Sequence, residues 1–495
     1  MTEEEKSMEV YAKEGLYYII FSLILGIVFD RLFYSSGIGI SHFIFLALCI
    51  SFFIWSVRKN IKIEKNLGWF LLIPISLLSF SYTFYTNVAF MLLNLVIIPF
   101  LMVASSILIQ NPKLKWDKFS FVFYMIKKGF INVLGSLGSP FVIIRKLIIR
   151  KEKSQDKAIR SQILIGLVIS VPLLIIILGL LNNADMVFSY YLNNITTIFD
   201  NINLNNVLPH LILIIIIAFY LFGYMWGFKK EDKDYEKIIN LEKIGVEALI
   251  IITVLVVLNM LYLLFTIIQF SYLYGGGNMA LPAGFTYAEY ARRGFFELAA
   301  VTFINFIIVL CCLKYMKREN RKLVTGGNSL FSLLILFTLN MLYSANFKLS
   351  LYESSYGYTY LRVFVHLFML LLFILSIILL IGIWYRKLSI VKSIIITTIT
   401  MYTVINYINI DAFIAKKNIE RYNNTGKVDI SYLTSLSYEA VPYLIQLRNA
   451  EDPNIRTAID KKLDNMKAEI LRQKHLNEFN ISRSRAEKLL NAIQK

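Results

Sequence analysis

The chain has 495 residues, 57% of them hydrophobic and 17% charged, and a mean hydropathy of +0.61. Soluble domains carry about 25% charged residues, so this composition excludes a water-soluble globular protein and makes the bilayer the solvent for most of the chain. The net charge of +18 reads as cytoplasmic loops obeying the positive-inside rule, with no nucleic-acid partner implied.

Apolar runs of about 17–25 residues bounded by charge mark transmembrane helices. They fall near 14–29, 38–57, 68–84, 86–109, 160–181, 206–227, 245–270, 294–313, 329–347, 359–383 and 391–409, eleven in all. The predicted fold class is therefore all-α: a polytopic helical membrane protein with a transmembrane domain over 14–410. Residues 1–13 form a cytoplasmic N-terminus. Their sequence, MTEEEKSMEV and on, is acidic and lacks the basic region of a cleaved signal peptide. Pro74, Pro99 and Pro172 fall inside runs, which membrane helices tolerate.

Two segments are apolar without reading as spans. Residues 118–150 are interrupted by Lys127-Lys128 and Arg145-Lys146 and contain Gly129, Gly135, Gly138 and Pro140. They are expected to lie as helices in the cytoplasmic interface, basic residues toward anionic headgroups. Residues 184–205 look like an external counterpart without cations.

From 411 to 495 the composition turns charged, and a small helical domain outside the membrane is expected, either a solubilising tail or a module that binds a protein partner. Asp452-Pro453 reads as the start of a helix running to about His475. Ser484-Arg485-Ala486-Glu487 reads as a capping box opening the last helix.

Lysine and arginine set the orientation. The loops 58–67, 110–159, 228–244, 314–328 and 384–390 are basic, whereas 182–205 has no cation. The basic loops are placed in the cytoplasm, with the N-terminus inside and the tail outside. Trp55, Trp69, Trp116, Trp226 and Trp384 all fall beside these loops, as interfacial tryptophans do at either face.

Charge at the door of an apolar run is costly, and TYAEYARRGFFELAAVTFIN (Thr286–Asn305) places four charges there. Thr286 and Glu289 have the spacing of a capping box, which explains Glu289 structurally. On a continuous helix Glu289, Arg293 and Glu297 would also form an i, i+4, i+8 stripe. Arg292 and Arg293 at an external helix N-terminus oppose both the macrodipole and the positive-inside rule. Glu297, about one turn inside the span, should face other helices and pair with Arg293 or Arg362.

Other outer span ends carry Arg362 and His366 at i, i+4, then Asn406, Asn409 and Asp411, then Asn182, Asn183 and Asp185, and Gln269. Together with Glu289, Arg292, Arg293 and Glu297 these make a candidate outward-facing polar cluster, read equally as a functional site or as an ion-pair lock. The glycine-rich Ser271–Gly284 lies beside it as a candidate lid. Asn259, Asn305 and Asn340 sit deeper, as interhelical hydrogen-bonding residues or as part of a path for a substrate.

No metal or cofactor is expected. Cys49, Cys311 and Cys312 lie in apolar runs, and the four histidines (His42, His210, His366, His475) have no zinc-ligand spacing.

TYAEYARRGFFELAAV (Thr286–Val301) resembles the hallmark of the bacterial membrane proteins grouped as domain of unknown function 4173, related to 4153. LNNADMVFSYYL (Leu181–Leu192), YGYTYLRVFVHLFML (Tyr356–Leu370), NYINIDAFIAKKNIERY (Asn406–Tyr422) and VDISYLTSLSYEAVPYL (Val428–Leu444) resemble further stretches of it. Met186 stands where the resemblance leads one to expect proline. The resemblance covers roughly 160–450 and implies a bacterial plasma-membrane protein, without an activity.

Three function classes follow: a non-enzymatic envelope sensor, scaffold or assembly factor; a transporter or lipid flippase; and a membrane-embedded transferase using Glu297 or His366 as base. The first is favoured by the capped helices of the tail. The second lacks an inverted repeat and a charge at the midplane. The third lacks a nucleophile, phosphate loop or metal motif.

Orientation is directly testable. In a background freed of the native cysteines, single cysteines at Asn194, Gly276 and Asn424 should react with an impermeant thiol reagent in intact cells, and those at Lys233 and Asn320 should not. Labelling at Lys233 with protection at Gly276 would invert the topology.

Overall fold

The computed structural model describes residues 3–34, 37–58, 66–149, 204–229, 245–273, 294–385, 387–472 and 476–492, with the isolated residues 166, 170, 177 and 181. Among them the chain is helical and polytopic. Nine helices are long and apolar enough to cross a membrane, or ten if the pair Ile390–Ile405 and Ile410–Thr425, bent by 62°, is one crossing. These correspond to ten of the eleven expected runs. The remaining run, 160–181, and the expected outer segment 184–205 lie outside the described residues apart from the four isolated positions and Leu204 and Asn205.

The chain divides into two compact units. The first comprises residues 1–85, 89–239 and 470–484. It holds α1 (Glu3–Phe33), α2 (Ile40–Val57), α3 (Leu67–Phe84), most of α4 (Val88–Gln110), α5 (Phe119–Ile126), a π-helical turn (Lys127–Ile131), α6 (Asn132–Ser136), α7 (Ser139–Ile149) and α8 (Leu204–Lys229). Pro74 and Pro99 lie inside continuous helices, as expected.

The pairing of α1 with α8 is set by a small residue. A Cβ on Gly26 would come 2.6 Å from the carbonyl oxygen of Ile214, so only glycine admits this approach. At one end of the pair, Glu14 and Lys229 form an ion pair, and the Lys229 ammonium lies 4.9 Å from the Trp226 ring centre. That is the end the charge pattern assigns to the cytoplasm.

The interrupted stretch 118–149 packs near this same end. Ile143 of α7 fills the space beside Gly15, and the carbonyl of Val133 in α6 approaches Gly223. None of α5, α6 and α7 exceeds 11 residues, too short to span alone.

The second unit comprises residues 86–88, 240–469 and 485–495. It holds α9 (Ala248–Leu273), α10 (Phe295–Tyr315), α11 (Arg321–Tyr356), α12 (Tyr360–Trp384), α13 (Ile390–Ile405), α14 (Ile410–Thr425), the short α15 (Ile430–Leu433) and α16 (Val441–Leu444), and α17 (Pro453–Arg472) as far as Glu469. Helix α11 is its axis. Phe331, Leu334, Ala345 and Leu349 are fully buried among side chains of α9, α10 and α12.

Amides tie the helices together at depth. Asn259 donates to Leu330 O (3.1 Å), Asn305 donates to Thr338 Oγ1 (3.1 Å) and accepts from Tyr262 (2.7 Å), and Gln269 donates to Ser344 Oγ (2.9 Å) while accepting from Asn340 (3.4 Å). The asparagines thus make interhelical bonds, although Asn259 Oδ1 is buried without a partner. The outward faces are apolar: Leu249, Val257 and Ile267 of α9 are each at least 60% exposed, the surface that lipid covers.

Two expectations need correction. The span expected over 329–347 is the middle of α11, a 36-residue helix. At about 1.5 Å per residue it is about 54 Å long, well beyond the about 30 Å of hydrocarbon. The last helix, α18 (Ile481–Ala492), begins before Ser484. Its cap is Asn480, whose Oδ1 accepts from Arg483 N (3.1 Å) while its amide nitrogen donates to Tyr82 O and Tyr85 O. Those anchors place the helix start earlier than the capping-box spacing suggests. The start at Asp452-Pro453 agrees with the structure: Asp452 accepts from Asn454 N at 2.8 Å, and the helix ends at Arg472. By contacts, residues 410–469 go with the second unit and 470–484 with the first.

Replacing Gly26 by Val would drive a branched side chain into the Ile214 carbonyl. Overpacking of this kind costs about 1–3 kcal/mol. The variant should unfold at a lower temperature in detergent than the parent chain, whereas Gly135→Val, with nothing within 4 Å of the added Cβ, should serve as the neutral control.

Candidate functional site

The charged doorway does not have the expected geometry. Glu289, Arg292 and Arg293, with Asp185 and most of the glycine-rich candidate lid, lie outside the described residues. The lid's first three residues, Ser271 to Leu273, are the last turn of α9. Gly294 takes φ +98°, the left-handed region, and α10 begins only at Phe295. A continuous helix from Thr286 is therefore broken there, and with it the i, i+4, i+8 stripe. Glu297 sits in the first turn of α10, exposed, where a carboxylate complements the helix dipole. Lys348 of α11 lies within its field, whereas the expected partner Arg293 lies outside the described residues.

Arg362 serves another purpose. It donates to Gly357 O and lays its guanidinium over the Tyr352 ring, 4.3 Å from the centre. It thereby closes the turn between α11 and α12. Gly357 in this turn has φ +84°, and a Cβ there would collide with Asn418 Oδ1.

The turn is gripped by the segment that follows the spans. Asn418 of α14 accepts from Tyr358 N (2.9 Å) and donates to Tyr358 O (2.8 Å), closing both backbone groups as a strand partner would. Tyr360 N donates to the Tyr432 hydroxyl at 2.6 Å. Arg421 adds bonds to the carbonyls of Ser354, Ser355 and Lys427. Asp429 caps α15 by accepting from Tyr432 N (3.0 Å) and Ser431 Oγ (2.7 Å), and these bonds hold its carboxyl below the usual range.

Beneath the grip lie two buried carboxylates. Asp411 is 1% exposed and accepts from Asn87 Nδ2 (2.5 Å), Ser437 N (3.1 Å) and the Tyr360 hydroxyl. Glu439 accepts from Thr86 N (2.5 Å), Thr86 Oγ1 (2.8 Å) and Ser437 Oγ. Ser437 thus joins the two acids, which are held by hydrogen bonds rather than by a salt bridge. The bend above them is built locally: Asn409 caps α14 by accepting from Ala412 N (3.1 Å), and buried Asn406 donates to Tyr402 O (2.9 Å).

His366 faces elsewhere. Its Nε2 meets Glu353 Oε2 at 2.9 Å and its Nδ1 meets Asn346 Oδ1 at 2.8 Å, both on α11. Glu353 is 2% exposed, and its Oε1 is buried without a partner. The histidine also lines a half-open cavity of about 450 Å³ between α11 and α12, with Asn346, Leu342, Tyr343, Leu370 and Phe373 among its walls. With both ring nitrogens engaged, His366 has none free to take a proton from a substrate, so a transferase base would first have to displace Asn346. Among the described residues no group of His, Cys, Asp and Glu is arranged to hold a metal.

The expected cluster therefore separates. Asn406, Asn409 and Asp411 belong to the joint beneath the turn, Arg362 to the turn itself, His366 to the cavity, and Glu297 to none of these. Sequence reasoning missed Glu353, Asn346, Tyr360, Asn418, Ser437 and Glu439. Glu353 and Asn346 had a signal, since they stand seven residues apart on one helical face, hidden by assigning 348–358 to a loop. Asn87 and Thr86 had none, because only the fold brings them to Asp411 and Glu439.

A family model described as Domain of unknown function (DUF4153) matches residues 72–447. The chain belongs to this family. DUF4153 is the group that the motif resemblance connects with 4173, and the match includes the α11–α12 turn, Asp411 and Glu439. No curated protein and no solved structure matches the chain.

Asp411→Ala would remove the acceptor of the Tyr360 hydroxyl and the Ser437 amide in a dry site. Unsatisfied buried groups cost about 1–3 kcal/mol each, so the variant should lose several degrees of thermal stability and become protease-sensitive between α13 and α17. Asp429→Asn, at an exposed cap, should shift neither measurement comparably.

Proposed function

We propose that this DUF4153 chain is a non-enzymatic envelope protein, a sensor, scaffold or assembly factor of a bacterial plasma membrane, with its N-terminus in the cytoplasm and its tail outside. The observation that supports this is the joint. Three stretches that carry the motif resemblance (356–370, 406–422 and 428–444) meet there, and their polar groups are spent on holding the tail segment to the span ends. Such a joint passes a shift of α11 or α12 to the tail, or a load on the tail to the spans.

The tail offers a surface for a partner. Helix α17 buries Ile455, Ile459, Leu463 and Met466 and exposes Thr457, Lys461 and Asp464 on the opposite face. The basic cytoplasmic loops, with Lys229 set among aromatic rings, supply contacts for anionic headgroups. A second reading, a transporter or lipid flippase, draws on the half-open cavity beside His366.

Photo-reactive residues placed singly at Thr457, Lys461 and Asp464 of the full chain should give one discrete protein adduct in cells, and the adduct from position 457 should be abolished by Lys461→Glu with Asp464→Lys. Failure to form an adduct, together with substrate-dependent flux in proteoliposomes, would replace this reading with the transporter.

A further inference from the structure

A short stretch near the end of the chain caps the ends of α1, α2 and α3. Asn477 donates to Leu32 O at 3.4 Å, in the last turn of α1. Glu478 Oε1 accepts from Gly37 N at 2.8 Å, in the turn between α1 and α2. Phe479 O accepts from the amide of Ile40, the first residue of α2, at 3.2 Å. Asn480 Nδ2 donates to Tyr82 O (2.9 Å) and Tyr85 O (3.1 Å), and Ser482 Oγ donates to Phe84 O (2.7 Å), all at the end of α3. A Cβ on Gly39 would come 2.7 Å from the Glu478 carbonyl carbon, so the stretch lies directly on the α1–α2 turn. Helix ends leave backbone groups without intrahelical partners, and residues 477–482 supply partners for several of them.

Helix length sets the level at which this happens. Helices α2 and α3 have 18 residues each, about 27 Å at 1.5 Å per residue, against about 30 Å of hydrocarbon. A helix of that length that crosses the bilayer cannot also carry its end out into water. The capping stretch is bonded to those ends and therefore lies at the hydrocarbon boundary, not above it. Tyr34 and Tyr85 flank the same ends, as tyrosines do at a membrane interface.

The polarity of the stretch is inside out. Glu478 and Asn480 are 4% and 3% exposed, whereas Phe479 and Ile481 between and beside them are 48% and 41% exposed. The polar side chains turn inward to the helix ends, where Glu478 also meets the Arg483 guanidinium at 3.6 Å. The apolar side chains turn outward. Water would favour the opposite arrangement, and hydrocarbon favours this one.

We propose that residues 477–482 form a lipid-embedded seal, with Phe479 and Ile481 inserted into the leaflet that surrounds the ends of α1 to α3 and the inward polar side chains closing those ends. The partner is the acyl-chain and glycerol region of the leaflet, not its headgroup charge, because the two outward side chains are uncharged. The inference depends neither on whether α17 binds a protein nor on which face of the membrane is cytoplasmic.

The test measures depth directly. The full chain, freed of its native cysteines, carries one spin-labelled cysteine at position 479, 481 or 457 and is reconstituted in palmitoyl-oleoyl-phosphatidylcholine nanodiscs. Phe479 and Ile481 point away from the protein, so a label there leaves the caps in place. Thr457, exposed on α17, is the water-facing control. At 479 and 481 the label should collide several-fold more with oxygen, which partitions into hydrocarbon, than with a water-soluble nickel chelate. At 457 the order should reverse. Nickel-dominated collisions at 479 and 481 would overturn the proposal by placing this face in water. Protection from both reagents there would overturn it by placing the face against a second copy of the chain or another protein surface.

Discussion

In hydrocarbon a polar group has no water to fall back on, and each one must find its partner within the protein. This constraint organises the whole chain. It forces the backbone into helices. It also decides which polar side chains are affordable at depth. Asn259, Asn305 and Gln269 sit in the second unit only because Leu330 O, Thr338 and Ser344 meet them from α11. Their value is specificity: hydrophobic packing alone would tolerate a slipped register, whereas an amide facing the wrong position would strand its donors.

The same rule applied at the end of the helices explains the joint. Among the described residues Asp411 and Glu439 form no ion pair, although Lys462 lies within the field of Asp411, and each accepts three hydrogen bonds. Hydrogen bonding to the charged form offsets the cost of burial. The donors come from places far apart in sequence: the residues 86–87, the first residue of α12, and the segment around Ser437. A network assembled from such distant pieces forms only when all of them arrive, which makes it a reporter of the folded arrangement. Helix α12 links the joint and the cavity: its first residue enters the joint through Tyr360, and its second turn lines the cavity through His366.

The doorway shows how a local argument depends on one backbone position. Two arginines and two glutamates beside an apolar run call for mutual pairing, provided that one helix carries them all. Gly294 removes that condition. With φ in the left-handed region it starts the helix at Phe295 and leaves Glu297 exposed in a first turn, where the helix dipole and the field of Lys348 both favour a carboxylate. On α11, Glu353 was concealed by reading a long helix as a short span and a loop.

Sequence by itself determined the solvent, the fold class and the positions of ten of the eleven apolar runs, those that fall on the described helices, because the bilayer's thickness imposes a length and an apolarity that composition reveals directly. It also marked Arg362, His366, Asn409 and Asp411 as unusual, since ionisable and amide groups near span ends need a reason. Tertiary structure alone decided what each of them does. Whether Asp411 meets an arginine or three neutral donors, and whether His366 faces a glutamate, depends on distances between helices. Hydropathy and helical periodicity specify which face of a helix is buried, but not which neighbour it is buried against. Partners separated by 324 residues, as Asn87 and Asp411 are, leave no local signal, because only the packing of whole helices brings them together.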